Sequence, residues 1–281
     1  MTRTILVTGA STGIGRAAVE RARREGARVF GTVRNDSDAE ALRALGAMPL
    51  RCDVTNAADV AGLVEEVAAA LGRQRLSALV NNAGIAVPGP LEMLTVDDLR
   101  RQFDVNLFGL HDITRRCLPL LGTDPNREGP MGRVVMISST NGVSAGPLVG
   151  PYAASKHALE GYSRSLRQEL MRFGVPVIVV APGPIQTPIW DKVEQAGIER
   201  FSGTPYGSAV AKAASVVLRS GRAGLPAEAV ADVIWRAVVA PRPPLRVPVK
   251  RGLLGEGLFN RLPERWRNAI VARYLGLRPT D

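Results

Sequence analysis

The sequence predicts an α/β protein with a doubly wound parallel sheet of about seven strands, flanked by helices on both faces. Two observations favour this class. Apolar, β-branched runs alternate with helical patterns through the first two thirds of the chain, which is typical of a parallel sheet covered by helices. Runs such as Val134–Ile137 are also continuously apolar, as expected of strands buried on both sides.

The elements follow from hydrophobic periodicity and turn residues. The predicted strands are Thr4–Thr8, Arg28–Val33, Met48–Cys52, Ala78–Asn81, Arg133–Ser138, Pro176–Ala181 and Leu245–Val249. The predicted helices are Gly15–Glu25, Ala57–Leu71, Val96–Leu121, Tyr152–Phe173 and Ala227–Ala240. We expect one domain spanning residues 1–281.

Two segments are predicted to lie near a substrate. Residues 183–226 follow the sixth strand at the end of the sheet where ligands bind, and we expect them to act as a lid. Residues 252–281 form a basic, amphipathic tail. We favour a tail that covers the pocket; a membrane-surface helix is the less favoured alternative, and a solvated basic face also remains open.

Composition narrows the possible functions. The net charge of +10 and 46% hydrophobic content are compatible with a soluble globular protein, and no apolar run reaches the ~20 residues of a membrane span. Two cysteines make no disulfide framework, which fits a cytoplasmic protein. His111 and His157, the only histidines, lack metal-ligand spacing, so we expect no metal site. We do not expect nucleic acid as a partner, because only the basic tail would favour its binding.

A glycine-rich turn joins the first strand to the first helix. Its glycines, Gly9, Gly13 and Gly15, are spaced G-x-x-x-G-x-G, with Ser11, Thr12 and Ile14 between them. Glycines allow a tight turn and close approach to a pyrophosphate, and the helix N-terminus offers free N–H groups. The turn predicts a Rossmann-type dinucleotide site.

The end of the second strand indicates which dinucleotide binds. NAD-binding sites usually carry an acid there for the ribose hydroxyls, but this strand ends at Arg34 with no acid before it. Arginine suits a 2′-phosphate. We therefore predict NADP(H), with NAD(H) less favoured.

A tyrosine and a lysine stand four residues apart, at Tyr152 and Lys156, on one face of a predicted helix. A lysine ammonium nearby, together with an oxidised nicotinamide, favours tyrosinate, so we expect the tyrosine pKa to be lowered for acid–base work. Ser139 ends the preceding strand, thirteen residues before Tyr152, where its hydroxyl can bind the substrate oxygen.

Together these motifs resemble the compact short-chain dehydrogenase/reductase family over about residues 3–190. The matching residues, in the order that the family has them, are Thr8–Gly15, Asp53, Asn81–Gly84, Asn106, Ser139, Tyr152, Lys156 and Pro182–Thr187. The resemblance implies an oxidoreductase that interconverts an alcohol and a carbonyl group.

The resemblance also implies roles for individual residues. Ser139 would polarise the carbonyl, Tyr152 would donate the proton, Lys156 would lower the tyrosine pKa and hold the nicotinamide ribose, and Asn106 would hold a water molecule. The implied cofactor contacts include Asp53 and Val54 at the adenine, Asn82, Ala83 and Gly84 at the adenosine ribose, and Pro182, Gly183, Ile185 and Thr187 near the nicotinamide.

Residues 152–174 are similar to the 17β-hydroxysteroid and retinol dehydrogenase branch, which implies an apolar carbonyl or alcohol substrate. Trp190, Phe201, Tyr206 and Leu225 are candidate pocket residues or simple packing. The family's pairing helices imply a homodimer. Two alternatives stay open: a catalytically idle NADP(H)-binding sensor or scaffold, and a sugar-nucleotide epimerase, which the compact length disfavours.

Overall fold

A computed structural model of the chain describes residues 2–188, 198–251 and 262–277. Seven of its strands lie close to where the sequence predicts them, and two short strands within residues 183–226 were not predicted. Those in the described part are Thr4–Val7 (β1), Arg28–Val33 (β2), Met48–Arg51 (β3), Ala78–Asn81 (β4), Arg133–Ile137 (β5), Val177–Pro182 (β6), Ile185–Gln186 (β7), Leu225–Pro226 (β8) and Arg246–Val249 (β9).

The central sheet has seven strands in the order β3-β2-β1-β4-β5-β6-β9, and every neighbouring pair is parallel. The strand order reverses between β1 and β4, which creates a crevice at their carboxyl ends. The predicted fold class, a doubly wound Rossmann-type α/β sheet, is confirmed. The short strands β7 and β8 pair with each other outside this sheet.

Helices cover both faces of the sheet. Those in the described part are Gly13–Arg24 (α1), Asp36–Ala44 (α2), Ala57–Leu71 (α3), Val96–Phe103 (α4), Leu110–Leu118 (α5), Gly150–Leu170 (α6), Gly207–Arg222 (α7), Ala227–Val239 (α8) and Glu264–Leu275 (α9). Helices α1, α2 and α8 share one apolar core with the sheet, and α3, α5 and α6 share the other. The inner strands β1, β2, β4, β5 and β6 are therefore buried on both sides, as their apolar runs predict.

The predicted helix Val96–Leu121 is wrong as a single α-helix. A π-helical turn, Asp104–Gly109, separates α4 from α5, and a Cβ atom at Gly109 would lie 2.3 Å from the Val54 carbonyl oxygen. The close packing of this turn against the loop after β3 is a tertiary contact, which local periodicity does not contain. π-Helical turns often occur at functional sites.

Helix α2 is absent from the sequence prediction. Its N-terminus nevertheless has an ordinary N-cap residue, Asn35. The Asn35 side chain accepts a hydrogen bond from the Asp38 backbone N–H. Its buried apolar residues are few, Ala39 and Leu42, so its hydrophobic stripe is too short to give a strong helical pattern.

The predicted lid and tail are each described in part. Residues 183–226 contain the 16-residue helix α7 and the strands β7 and β8, whereas 189–197, including Trp190, lie outside the described residues. In the tail, α9 packs against α7; residues 252–261 and 278–281 lie outside the described residues.

The described residues contain neither a cluster of metal ligands nor a membrane-spanning helix. Within them, His, Cys, Asp and Glu form no group of three or more that could hold a metal ion. No helix among the same residues is long and apolar enough to cross a membrane. The thiols of Cys52 and Cys117 are both free and buried.

A buried ion pair joins α6 to the edge strand β9. The Glu160 side chain is only 5% exposed, and Arg246 Nε lies 3.1 Å from each of its carboxylate oxygens. Removing the arginine would leave the carboxylate buried without its partner. We expect Arg246→Ala to lower the free energy of unfolding by about 3–5 kcal/mol, measured by urea denaturation.

The exposed arginine Arg236 on α8 provides the control for this measurement, because its guanidinium bonds only a backbone carbonyl of its own helix. We expect Arg236→Ala to change the free energy of unfolding by less than about 0.5 kcal/mol. If Arg246→Ala were as stable as this control variant, the ion pair would not stabilise the fold.

Candidate active site

The glycine-rich turn after β1 is too tightly packed to accept side chains. Gly9 and Gly13 have φ angles of +61° and +55°, which favour glycine. A Cβ at Gly15 would lie 2.2 Å from the Gly9 carbonyl oxygen and 2.5 Å from Asn82 Nδ2. The turn is therefore compact, as expected where backbone N–H groups must approach a phosphate closely.

Hydrogen bonds from β4 hold this turn in place. The Thr8 hydroxyl oxygen accepts from the backbone N–H groups of Asn82 and Ala83, both at 2.9 Å. In return, the Asn82 side-chain amide donates to the carbonyl oxygens of Thr8 and Gly9, also at 2.9 Å. The Asn82–Ala83 segment thus determines the shape of the crevice at the switch point of the sheet.

Helix α1 begins with a free N-terminus. The Thr12 side chain makes no capping bond, and the first turn contains no acidic residue. By contrast, α2, α3 and α4 are all capped by a side chain and all carry acids in their first turn. Since uncapped N–H groups and the positive end of the helix dipole attract anions, α1 differs from these helices in being open to a phosphate.

Arg34 and Asp53 end neighbouring strands at the same edge of the sheet. Arg34 is exposed, and Asp53 has a lowered pKa because Thr55 donates two hydrogen bonds to its carboxylate, at 2.7 and 2.9 Å, with a smaller contribution from the charge of Arg34. The edge therefore presents a guanidinium and an ionised carboxylate, with Val54 buried beside them.

The Ser139, Tyr152 and Lys156 side chains meet at the carboxyl end of β5. Burial raises the pKa of Tyr152 above its usual range, and a hydrogen bond with Ser139 partly offsets this. Burial lowers the pKa of Lys156 to about 8, and the charge of Glu160 opposes this shift. At neutral pH the tyrosine is therefore protonated and the lysine charged.

The lowered pKa that we expected for Tyr152 requires an oxidised nicotinamide as well as the lysine, whereas the protein's own groups raise it. Lys156 Nζ donates to the Ile137 carbonyl oxygen at 2.8 Å and lies 5.8 Å from the centre of the Tyr152 ring. The ammonium is thus directed at the backbone of β5, and desolvation of the phenol is the larger effect.

Asn106 connects the π-helical turn to the segment after β4 and to α6. Its Oδ1 accepts from the Ile85 backbone N–H at 2.9 Å, and its Nδ2 donates at 3.1 Å both to the Ile85 carbonyl and to Ser155 Oγ. Both side-chain N–H groups are thus engaged. A water molecule at this position would have to bind the backbone carbonyl of Asn106 or the remaining lone pair of Oδ1.

Gln102 supports the same segment and is missing from the sequence prediction. It is fully buried; its Oε1 accepts from Val87 N–H and its Nε2 donates to the Ile85 carbonyl, both at 2.8 Å. Glutamine is usually exposed on helices. Its position on the buried face of the helix was therefore the only signal in the sequence that could have identified Gln102.

The segment Pro182–Thr187 returns to the glycine-rich turn. Gly183 N–H donates to the Val249 carbonyl at 2.9 Å, Ile185 is buried, and the Thr187 Cβ lies 3.1 Å from the position of a Cβ at Gly13. The two predicted cofactor-binding segments are therefore in contact.

A largely apolar cavity of about 400 Å³ lies near the chain segments that carry Ser139 and Tyr152, although neither side chain lines it. Its wall includes Asn141, two residues from Ser139, and Val149, three residues from Tyr152. Helices α7 and α9 complete it with the aliphatic side chains of Val210, Val217, Ile270 and Leu275. Parts of both the predicted lid and the predicted tail thus line one cavity.

Three of the four residues proposed for this pocket lie elsewhere, and the fourth, Trp190, is outside the described residues. Phe201 is buried against Gly89, the Tyr206 hydroxyl donates to Glu92 at 2.7 Å, and Leu225 belongs to β8. None of these three lines the cavity. These side chains contribute to packing instead. Composition alone does not distinguish a packing residue from one that lines a pocket.

Comparison with known proteins identifies the family. Residues 3–197 match the short chain dehydrogenase family. The chain is 38% identical over 277 residues to the NADPH-dependent 3-dehydrocapnine reductase of Ornithobacterium rhinotracheale, covering 97% of each protein. It is 32% identical over 257 residues to the 3-ketodihydrosphingosine reductase of Bacteroides thetaiotaomicron, covering 91% of this chain and 90% of the relative.

A solved structure agrees with these sequence matches. The crystal structure of a short-chain dehydrogenase from Streptomyces avermitilis superimposes with a TM-score of 0.74 and 28% identity, covering 99% of this chain and 97% of that one. The chain therefore belongs to the short-chain dehydrogenase family, and it is an NAD(P)-dependent oxidoreductase that acts on alcohol and carbonyl groups.

Proposed function

We propose that the protein is an NADPH-dependent reductase of long-chain ketones, with Tyr152 as the proton donor. The observation that carries the proposal is the apolar cavity of about 400 Å³ whose wall begins within three residues of both Ser139 and Tyr152. A protonated phenol next to an aliphatic cavity suits delivery of a proton to a carbonyl group on an apolar chain.

The residues present fit NADP(H). The glycine-rich turn is compact, because a Cβ at Gly15 would collide with the Gly9 carbonyl oxygen, and α1 offers an uncapped N-terminus for a pyrophosphate. The exposed Arg34 suits the 2′-phosphate. The relative from O. rhinotracheale, described by its name as NADPH-dependent, supports the same cofactor.

We assign the cofactor contacts by their position at the carboxyl edge of the sheet. Gly9, Ser11, Thr12, Gly13, Ile14 and Gly15 would bind the pyrophosphate, Arg34 the 2′-phosphate, Asp53 and Val54 the adenine, Asn82, Ala83 and Gly84 the ribose, and Pro182, Gly183, Ile185 and Thr187 the nicotinamide. Tyr152 and Lys156 would bind the second ribose. When bound, the cofactor supplies the hydride.

The chain's own residues would move the proton. Ser139 donates a hydrogen bond to the carbonyl oxygen and holds it beside the phenol of Tyr152, which gives up its proton as negative charge develops on that oxygen. The charged Lys156 stabilises the resulting tyrosinate. Asn106 keeps the π-helical turn against α6, and its backbone carbonyl would hold the water that returns a proton.

The cavity walls support a long apolar substrate. They are mostly aliphatic and come from segments on either side of the active site, and α9 covers one side of the cavity. Both reported relatives are named for reduction of a substrate with a keto group at position 3, 3-dehydrocapnine and 3-ketodihydrosphingosine. We propose a substrate with a long alkyl chain next to the reacting ketone.

This proposal is tested by following NADPH oxidation with 3-ketodihydrosphingosine and with analogues of shorter alkyl chain. Each buried methylene contributes about 0.8 kcal/mol, roughly fourfold in affinity, so kcat/KM should rise steeply with chain length. Ala214→Phe, which fills the cavity, should remove this dependence, whereas phenylalanine at the exposed Ser208 on the same helix should not. Equal rates for short and long ketones would contradict an apolar-chain substrate.

Arg34→Ala is expected to weaken NADPH binding by about 10- to 100-fold and leave NADH binding unchanged. A hydrogen-bonded charge contributes about 1.5–3 kcal/mol, and only NADPH carries the 2′-phosphate. Titration of both cofactors by fluorescence measures the effect. Arg51→Ala removes another exposed arginine, on β3, and should leave both affinities unaltered; an unchanged NADPH affinity in Arg34→Ala would refute the assignment.

The rate of carbonyl reduction is expected to fall as the pH rises through about 8. Lys156 keeps its ammonium only below this pKa, and one unit above the pKa about one tenth of it remains protonated. Tyr152, whose pKa burial raises, stays protonated through this range. The test is a pH profile of kcat at saturating NADPH; a constant rate well above this pH would mean that the lysine charge is not required.

We also propose that the protein is a homodimer. The helical region α4–α5 exposes Phe108, whose side chain is 57% accessible, and Val96 at 64%. Exposed apolar patches of this kind are typical of interfaces. Sedimentation at equilibrium should give twice the monomer mass of 29.9 kDa; a monomer at all concentrations would exclude the dimer.

A further inference from the structure

Helix α9 exposes a stripe of large apolar side chains. Trp266, Ile270 and Tyr274 are 61%, 48% and 60% accessible. They are spaced four residues apart, and positions at this spacing lie on the same face of an α-helix. Single exposed apolar residues are ordinary, but a contiguous stripe with two aromatic side chains indicates a binding surface.

Basic residues surround the stripe. Arg267 and Arg273 are on the same helix, whose only acid is Glu264 in its first turn. Lys212 and Arg219 of α7 share a surface hollow with Tyr274, and the sequence of α7 contains no acidic residue. The surface around the stripe therefore complements a negatively charged partner.

The inner side of the same helix lines the substrate cavity. Ile270 and Tyr274 belong both to the exposed stripe and to the cavity wall, together with the more buried Val271 and Leu275. The stripe is thus at the edge of the cavity. A ligand chain that left an apolar phase at this surface would enter the cavity with little exposure to water.

We propose that the exposed face of α9 docks on the surface of an anionic lipid bilayer. This face consists of Trp266, Ile270 and Tyr274 with the arginines around them. Tryptophan, tyrosine and arginine are the side chains that anchor proteins at the membrane interface. The basic side chains around the stripe suit the phosphates of anionic lipid headgroups. The docking does not depend on the proposed function; only the entry of a lipid substrate into the cavity rests on it.

The test is cosedimentation of the full-length protein with vesicles, without cofactor or substrate. We expect binding to vesicles of phosphatidylcholine with phosphatidylserine, weaker binding to phosphatidylcholine alone, and release at high salt. Trp266→Glu should lower the partition coefficient at least about tenfold. Met171→Glu changes an equally exposed apolar residue, 75% accessible at the end of α6, and should bind as the unaltered protein does.

Circular dichroism and NADPH binding check that both variants fold. A protein that stays in the supernatant with anionic vesicles, or a Trp266→Glu variant that pellets like the original, would overturn the proposal. A native mass of the Trp266→Glu variant below that of the unaltered protein, measured without vesicles, would also overturn it, because the stripe would then serve self-association. An inactive protein that still binds vesicles would reject the proposed function alone, and an active one that does not bind would reject the docking alone.

Discussion

Replacing Tyr152 by phenylalanine is expected to lower kcat for carbonyl reduction by about 10²- to 10⁴-fold, the contribution typical of a positioned general acid. The variant removes a single hydroxyl and keeps the ring that packs at the start of α6. Since burial keeps this phenol protonated, the change removes the hydroxyl that we propose as the proton source. The measurement is the single-turnover rate at saturating NADPH and ketone.

Tyr162 provides a matched control on the same helix. It is a half-buried tyrosine whose hydroxyl lies 3.1 Å from His111 Nδ1. Tyr162→Phe should keep kcat within about twofold, because surface hydroxyls away from the reacting atoms contribute little. Dissociation constants for NADPH should be similar in both variants. Retained turnover in Tyr152→Phe would exclude this residue as the proton donor.

Gly15→Ala is expected to abolish measurable NADPH binding and to destabilise the fold. The added methyl group would lie 2.2 Å from the Gly9 carbonyl oxygen, so the glycine-rich turn would have to move away from the N-terminus of α1. Overpacking of this kind typically costs about 1–3 kcal/mol. The measurements are the NADPH dissociation constant and the urea midpoint.

Gly62→Ala is the control for the second experiment. This glycine lies in α3, and outside the backbone of its own helix and its chain neighbours no heavy atom lies within 4 Å of its Cβ position. Alanine there should stabilise the protein by about 0.5–1 kcal/mol, because helical glycine is entropically unfavourable, and should leave cofactor affinity unchanged. Normal NADPH binding by Gly15→Ala would show that the turn does not hold the pyrophosphate.

Much of the fold could be predicted because its signals are local. Each buried parallel strand is a short apolar run, and the β1 turn carries its glycines within seven residues, Gly9–Gly15. Tyr152 and Lys156 are likewise neighbours on one helix. The sequence was weaker where the local hydrophobic pattern is short, as in α2, whose buried apolar residues are Ala39 and Leu42.

Other features depend on contacts between residues far apart in the chain. The π-helical turn around Asn106 follows from the fit of Gly109 against Val54, and the buried Gln102 is needed only because the segment after β4 passes over it. The Tyr152 pKa depends on how completely the fold desolvates the phenol, which no motif records.

By itself, the sequence determined the parallel α/β architecture, the family and the residues placed at the carboxyl edge of the sheet, because these follow from local periodicity and short motifs. Only the tertiary structure revealed the cavity between the loop after β5, α7 and α9. It also determined the position of α9, which has one side on that cavity and another side exposed. Which face of a helix is covered depends on what packs against it, and for α9 that partner lies more than forty residues away in the sequence, in α7.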